Sequence, residues 1–126
     1  NANGGFSAAR PWLPVKAPHL PLSVAAQDRD AGSVLEHYRA ALAFRRAHPV
    51  LRTGAMLDIR ATGDVASFRR SGDEEIFCAV NLGEFTAEAV LPEGNWTRIG
   101  TELGSQAATG GRASLGPWGV CLAKRT

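Results

Sequence analysis

Glu75-Ile76-Phe77-Cys78-Ala79-Val80-Asn81-Leu82 is the stretch that decides how this chain folds. Its apolar residues alternate, with Ile76, Cys78, Val80 and Leu82 on one side of an extended chain and Phe77 and Ala79 on the other. A strand that faces water on one side keeps polar residues on that side. This run has large apolar groups on both sides, which predicts a central strand covered on both faces.

Outward from it the same period of two recurs near residues 55–61, 65–70, 85–91, 96–101 and 118–124. Thr62-Gly63-Asp64, Ser71-Gly72-Asp73 and Pro92-Glu93-Gly94-Asn95 separate the runs at intervals of about ten residues, the rhythm of an antiparallel sandwich or barrel rather than of βαβ units. The expected fold is therefore mainly β, an antiparallel sandwich over residues 52–126.

Upstream the period changes. Residues 30–47 read as one α-helix, in which Ser33-Val34-Leu35-Glu36 has the capping-box form and Asp28 and Asp30 suit the positive end of the dipole. Arg39, Arg45 and Arg46 complement the carbonyl end, and His48-Pro49 stops the helix. Val34, Leu35, Tyr38, Ala41, Leu42 and Phe44 spread around more than one stripe, so two apolar neighbours are expected. Before the helix lie Pro11, Pro14, Pro18 and Pro21, which argue against a helix or a central strand. Yet Phe6, Trp12, Leu13, Val15, Leu20, Leu22 and Val24 carry more apolar surface than a solvated linker, so this leader reads as a long ordered loop lying on another surface.

With 126 residues, 44% hydrophobic and 21% charged, the chain has room for one packed core plus a tail. A formal net charge of +2 without any basic stripe excludes nucleic acid as an expected partner. No apolar run reaches the roughly 18 residues needed to span a membrane, and no secretory signal is present, so a cytoplasmic location is expected. Cys78 and Cys121 lack metal-site spacing and read as buried thiols. Asn1-Ala2-Asn3-Gly4-Gly5, without Met, reads as the middle of a longer protein.

Catalytic chemistry is sparse. Acid–base hydrolysis needs two carboxylates across a cleft, whereas Asp73-Glu74-Glu75 reads as a solvated turn and Glu36 as helix surface. His19, His37 and His48 stand apart, without a nucleophile signature or an HExxH pattern. Gly4-Gly5 and Gly110-Gly111 bend the chain and lack the strand and helix that a phosphate cradle requires. Trp12, Trp96 and Trp118 could stack on sugar rings, but Trp96 and Trp118 lie in strand-like context, where core filling is the expectation. The sequon at Asn95-Trp96-Thr97 has no consequence without secretion. No catalytic residue, metal site or cofactor is expected here, and substrate-binding residues stay unassigned.

The leader carries a resemblance. Asn3-Gly4-Gly5-Phe6-Ser7 followed by Arg10-Pro11-Trp12-Leu13-Pro14-Val15 resembles the NAGFS…PWLPV stretch of the α-glucosidase and oligo-1,6-glucosidase branch of the α-amylase superfamily. Val24-Ala25-Ala26-Gln27-Asp28, Ser33-Val34-Leu35 with Tyr38-Arg39, and Arg45-Arg46-Ala47-His48-Pro49-Val50-Leu51 are similar to later segments of that family in the same order. Ala79-Val80-Asn81-Leu82 and Leu115-Gly116-Pro117-Trp118-Gly119-Val120 match more loosely. Gly5 stands where Ala is commoner, and Ala41 and Phe44 also depart from the pattern.

The resemblance implies a retaining glycoside hydrolase acting on terminal α-linked glucose, with an Asp nucleophile, a Glu acid/base and a second Asp on earlier strands of a (β/α)₈ barrel. None of those positions falls in this chain. Residues 1–51 would be the loop and last helix of that barrel, with Phe6 near the pocket rim, and residues 52–126 the C-terminal sandwich. The expected partner is the rest of the barrel or a second copy, and α-glucosides are met only through the parent enzyme. The rival readings are a carbohydrate-binding module using Trp96 or Trp118 and a plain interaction domain.

Overall fold

The computed structural model describes residues 2–126 and divides the chain into two compact units, Asn1–Ala43 and Phe44–Thr126. The expected start of the leader at Asn1 lies outside the described residues.

In the first unit the leader is ordered mostly by local hydrogen bonds. Asn3 Nδ2 donates to the carbonyls of Ser7 and Ala9, both at 2.9 Å, across a short 3₁₀ turn at Ala2–Gly5. Although its prolines argue against helix, Ala17–Leu22 forms a 3₁₀ helix. Pro18 sits in its first turn, where a missing amide proton costs nothing. A single α-turn follows, α1 at Val24–Gln27.

The main helix, α2, spans Val34–Ala47, four residues shorter at its start than the sequence suggests. Ser33 is the reason. Its Oγ accepts the Glu36 amide at 3.2 Å and so fixes the N-cap, while Asp30 Oδ1 accepts the Gly32 amide in a preceding turn. The capping box is only half formed, because the Glu36 carboxylate turns instead to the Arg29 amide and the Arg39 guanidinium. Gln27 joins leader to helix: its Oε1 accepts the Leu35 amide at 3.0 Å and its carbonyl accepts the Ser33 hydroxyl at 2.9 Å.

The second unit is antiparallel throughout. After the one-turn helix α3 (Val50–Thr53) come β1 (Ala55–Thr62), β2 (Val65–Ser71), β3 (Glu75–Asn81), β4 (Ala87–Val90), β5 (Trp96–Arg98), β6 (Ala108–Thr109), β7 (Arg112–Leu115) and β8 (Val120–Arg125). They form a five-stranded sheet in the order β1-β2-β3-β8-β5 and a three-stranded sheet in the order β4-β7-β6. β3 is the middle strand of the larger sheet, as the alternation predicts.

Its two faces enter two separate cores. Phe77 and Ala79 pack with Val65, Cys121 and Ala123 against Ala89, Leu91, Ala113 and Leu115 of the smaller sheet's side, which makes the sandwich. Ile76 and Cys78 turn the other way, to Phe44, Val50 and Leu122. Leu82 does not join them. The strand ends at Asn81, and Leu82 lies beyond it at 59% exposure.

Two differences from the expected strands have simple causes. The run expected at 96–101 stops at Arg98, and a 3₁₀ turn at Thr101–Leu103 follows Gly100 with φ of 68°. The β6–β7 hairpin escapes the sequence reading because Ala108, Thr109, Ala113 and Ser114 are small, so no large apolar alternation marks it. Gly110 and Gly111, both at positive φ, form the two-residue loop that such a hairpin needs.

Both cysteines are free and buried. They lie in different cores, Cys78 facing Phe44 and Cys121 facing the smaller sheet, so they are not paired. Burial pushes the Cys78 thiol up to about 12, which leaves it un-ionised and a poor nucleophile at neutral pH.

Candidate functional site

The carboxylates with the strongest electrostatic surroundings are Glu74 and Glu75, and neither is solvated as a turn residue would be. Glu74 sits beside His48 just past α2, with its Oε1 3.0 Å from His48 Nδ1 and its Oε2 2.9 Å from Lys124 Nζ. His48 also packs on the Phe44 ring at 4.5 Å between centroids. Glu74 and Lys124 stand at one wall of a groove of about 510 Å³, lined also by Pro49, Val50, Gly54 and Ser71.

Glu75 belongs to a chain of charge that crosses the larger sheet. Asp58 of β1 accepts from Arg69 Nε of β2 at 2.6 Å, Arg69 also pairs with Glu75 of β3, and Arg125 of β8 lies 3.2 Å from Glu75. Arg125 in turn lies 5.7 Å from the Trp96 ring centre in β5, so all five strands are joined. Asp58 reaches Arg69 from a bulge, where its φ of 51° is a conformation that Asp tolerates better than most residues.

The direction of the pKa shifts argues against acid catalysis. Burial alone would raise both carboxyls, but hydrogen bonds from Lys124 and His48 to Glu74, and from Arg69 and Arg125 to Glu75, outweigh it and hold both below the ordinary value of 4.5. A general acid working near neutrality needs the opposite shift. These pairs fasten strands.

A carboxyl whose folded pKa is depressed contributes stability above its unfolded pKa and loses it as pH falls through the folded one. The second unit should therefore keep its melting temperature from neutrality to about pH 5 and lose it below about pH 4.5. Thermal melts of the parent chain and of Glu74→Gln/Glu75→Gln should converge as the pH is lowered. Parallel losses in the two would show that these pairs do not carry the acid sensitivity.

The remaining candidates stay apart. His37 is exposed on α2, and His19 is an exposed residue at an apolar hollow of about 500 Å³ in the leader, lined by Asn3, Phe6, Leu13 and Val15. Phe6 is 81% exposed there. Among the described residues no group of three or more His, Cys, Asp or Glu is placed to hold a metal ion. No helix among them is long and apolar enough to cross a membrane.

The tryptophans divide. Trp96 packs against the sandwich core, edge-on to Phe77 at 6.1 Å, and its indole N–H donates to the Pro92 carbonyl at 2.8 Å. Trp118 contradicts the core-filling expectation: it lies in the turn before β8, 65% exposed, with φ of 57°. Sequence reasoning also misses Asn81 as a structural residue. Wholly buried, it donates to the carbonyls of Phe85 (2.7 Å) and Gly116 (2.9 Å) and accepts the Gly83 amide (3.0 Å). An Asn inside an apolar alternation is the signal that could have found it.

The chain thus runs from an ordered leader through a helix into an antiparallel β-sandwich. No family model matches the chain. In sequence it is 45% identical over 91 residues to the probable α-glucosidase of Rhizobium meliloti (strain 1021), and 29% identical over 94 residues to the oligo-1,6-glucosidase of Parageobacillus thermoglucosidasius. These alignments cover 71% and 72% of the chain but only 16% of either relative.

In structure it matches the α-glucosyl transfer enzyme XgtA with a TM-score of 0.87 at 35% identity, covering 97% of this chain and 23% of that one. It also matches the trehalulose synthase MutB of Pseudomonas mesoacidophila MX-45, with a TM-score of 0.81 at 29% identity, covering 100% of this chain and 24% of that one. The chain belongs with the C-terminal part of the α-glucosidase and oligo-1,6-glucosidase enzymes of the α-amylase superfamily.

Proposed function

We propose that this chain is the non-catalytic C-terminal part of a retaining α-glucosidase-like hydrolase of terminal α-linked glucose. In this reading residues 1–51 supply the loop and last helix of the catalytic barrel, and residues 52–126 form the sandwich that supports it. The enzyme works in the cytoplasm, which agrees with two free cysteines.

The observation that carries the reading is the bare apolar surface of the leader and helix. Trp12 is 94% exposed, Leu13 65%, Val34 78% and Tyr38 62%, while Phe44 at the far end of the same helix is buried. Fully burying each Leu- or Val-sized side chain is worth roughly 1.5–3 kcal/mol, so a surface of this kind has a strong drive to be covered. The rest of a barrel covers it in the enzyme; in the isolated chain a second copy does.

Light scattering of the pure chain should accordingly show self-association that weakens when Trp12 and Leu13 become Ser. A monodisperse monomer with a disordered leader would contradict the reading of the leader and helix as a buried surface.

A further inference from the structure

The two exposed aromatic residues of the second unit lie at one end of the sandwich. Phe85 is 79% exposed and Trp118 65%, whereas Phe44, Phe68, Phe77 and Trp96 are buried or half-buried. Their loops are fastened together. Asn81 Nδ2 donates both to the Phe85 carbonyl and to the Gly116 carbonyl, and the Trp118 amide donates to the Gly83 carbonyl at 3.3 Å.

Trp118 is held in a left-handed conformation, with φ of 57°, that costs a bulky side chain free energy. The turn is fixed from several directions: the Gly119 amide donates to the Gly116 carbonyl at 2.9 Å, the Asn81 amide to the Gly119 carbonyl at 2.8 Å, and the Gly116 amide to Gln106 Oε1 at 2.9 Å. A Gly at 118 would relieve the strain, and with most of its surface in water the indole recovers little of it by packing. A strained and rigidly presented ring in solvent fits contact with a ligand better than it fits core building.

Two carboxylates belong to the same group of loops. Glu84 is exposed on the Phe85 loop, and Asp64 lies so close to Gly83 that a Cβ there would come within 2.5 Å of Asp64 Oδ2. Among the described residues neither acid forms a salt bridge within 4.0 Å. Flat apolar rings and carboxylate acceptors on adjoining loops match a pyranose, whose C–H face stacks on an aromatic ring while its edge hydroxyls donate hydrogen bonds.

We infer that the 62–65 turn, the 82–86 loop and the 116–119 turn form an accessory surface for an α-linked glucan chain, with Trp118 and Phe85 as its platform. The choice of α-linked glucose rests on the proposed function, and the surface keeps polymeric substrate near the enzyme without touching the reacting bond.

Calorimetric titration of the 126-residue chain with maltoheptaose tests this. Binding should have a dissociation constant on the order of 1 mM, typical of a shallow two-ring contact. Trp118→Gly should weaken it at least tenfold while the melting temperature holds or rises, and Phe85→Ala should weaken it with no loss of melting temperature. Absence of heat with the parent chain, or undiminished binding by Trp118→Gly, would overturn the inference. A lowered melting temperature in Trp118→Gly would also overturn it, because the ring would then be structural or covered by protein. Hydrolysis of nitrophenyl α-glucoside by a longer gene product containing the chain separates the two ideas. Activity there without maltoheptaose binding sinks the surface alone, and binding without activity sinks the proposed enzyme alone.

Discussion

Replacing Phe77 by Ala should lower the stability of the second unit by about 4 kcal/mol, the range for emptying a buried aromatic site. Phe77 is 3% exposed in the middle strand, enters the core between the two sheets and meets Trp96 edge-on. The loss combines transferred apolar area with the cavity left between layers that β-sheet hydrogen bonding prevents from collapsing. The midpoint of urea denaturation should fall with little change in slope. A shift equivalent to less than about 1 kcal/mol would mean that the two sheets do not share this core.

Asn81→Leu should cost about 3 kcal/mol, because Leu leaves several polar groups unpaired at a buried site. The Gly83 amide loses its acceptor, and the carbonyls of Phe85 and Gly116 lose a shared donor. Asn81→Asp should cost at least as much as Leu at neutral pH, since its carboxylate still accepts from Gly83 but sets a charged oxygen against the Phe85 and Gly116 carbonyls at a buried site. Urea denaturation of the three proteins checks the order. Equal stability of Leu and Asn at this position would show that the loops are held by something else.

Those two neighbourhoods also show what is legible in the sequence and what is not. The alternation from Ile76 to Val80 reports burial, because hydrophobic periodicity is a direct record of which side faces a core. The end of α2 is legible for the same kind of reason, Pro49 being unable to continue the helix. Its beginning is ambiguous because Asp30 and Ser33 both have N-cap chemistry, and only the hydrogen bond of Ser33 to the Glu36 amide decides between them. Small residues conceal β6 and β7.

Charge partners are hidden in a different way. Glu74 and Glu75 look like turn residues from their neighbours, but the groups that pair with them include Lys124 and Arg125, about fifty positions away in sequence. Only the antiparallel pairing of β3 with β8 brings them together. Trp118 misleads because residue type and local pattern favour a core position, whereas its backbone is a left-handed turn that points to no strand. The resemblance in the leader, by contrast, rests on runs of consecutive residues, so it needs no knowledge of which distant positions meet.

Under the proposed function, catalysis would take place elsewhere in a larger α-glucosidase-like protein that this chain supports. The most direct measurement is turnover of nitrophenyl α-glucoside, taken side by side for the 126-residue chain and for a longer gene product that carries it. The chain should give no release above blank, since an acid/base pair contributes orders of magnitude in rate and none is assembled among the described residues, and the longer protein should release α-configured glucose. Turnover by the chain alone, or a longer protein that leaves the glucoside intact, would contradict the claim.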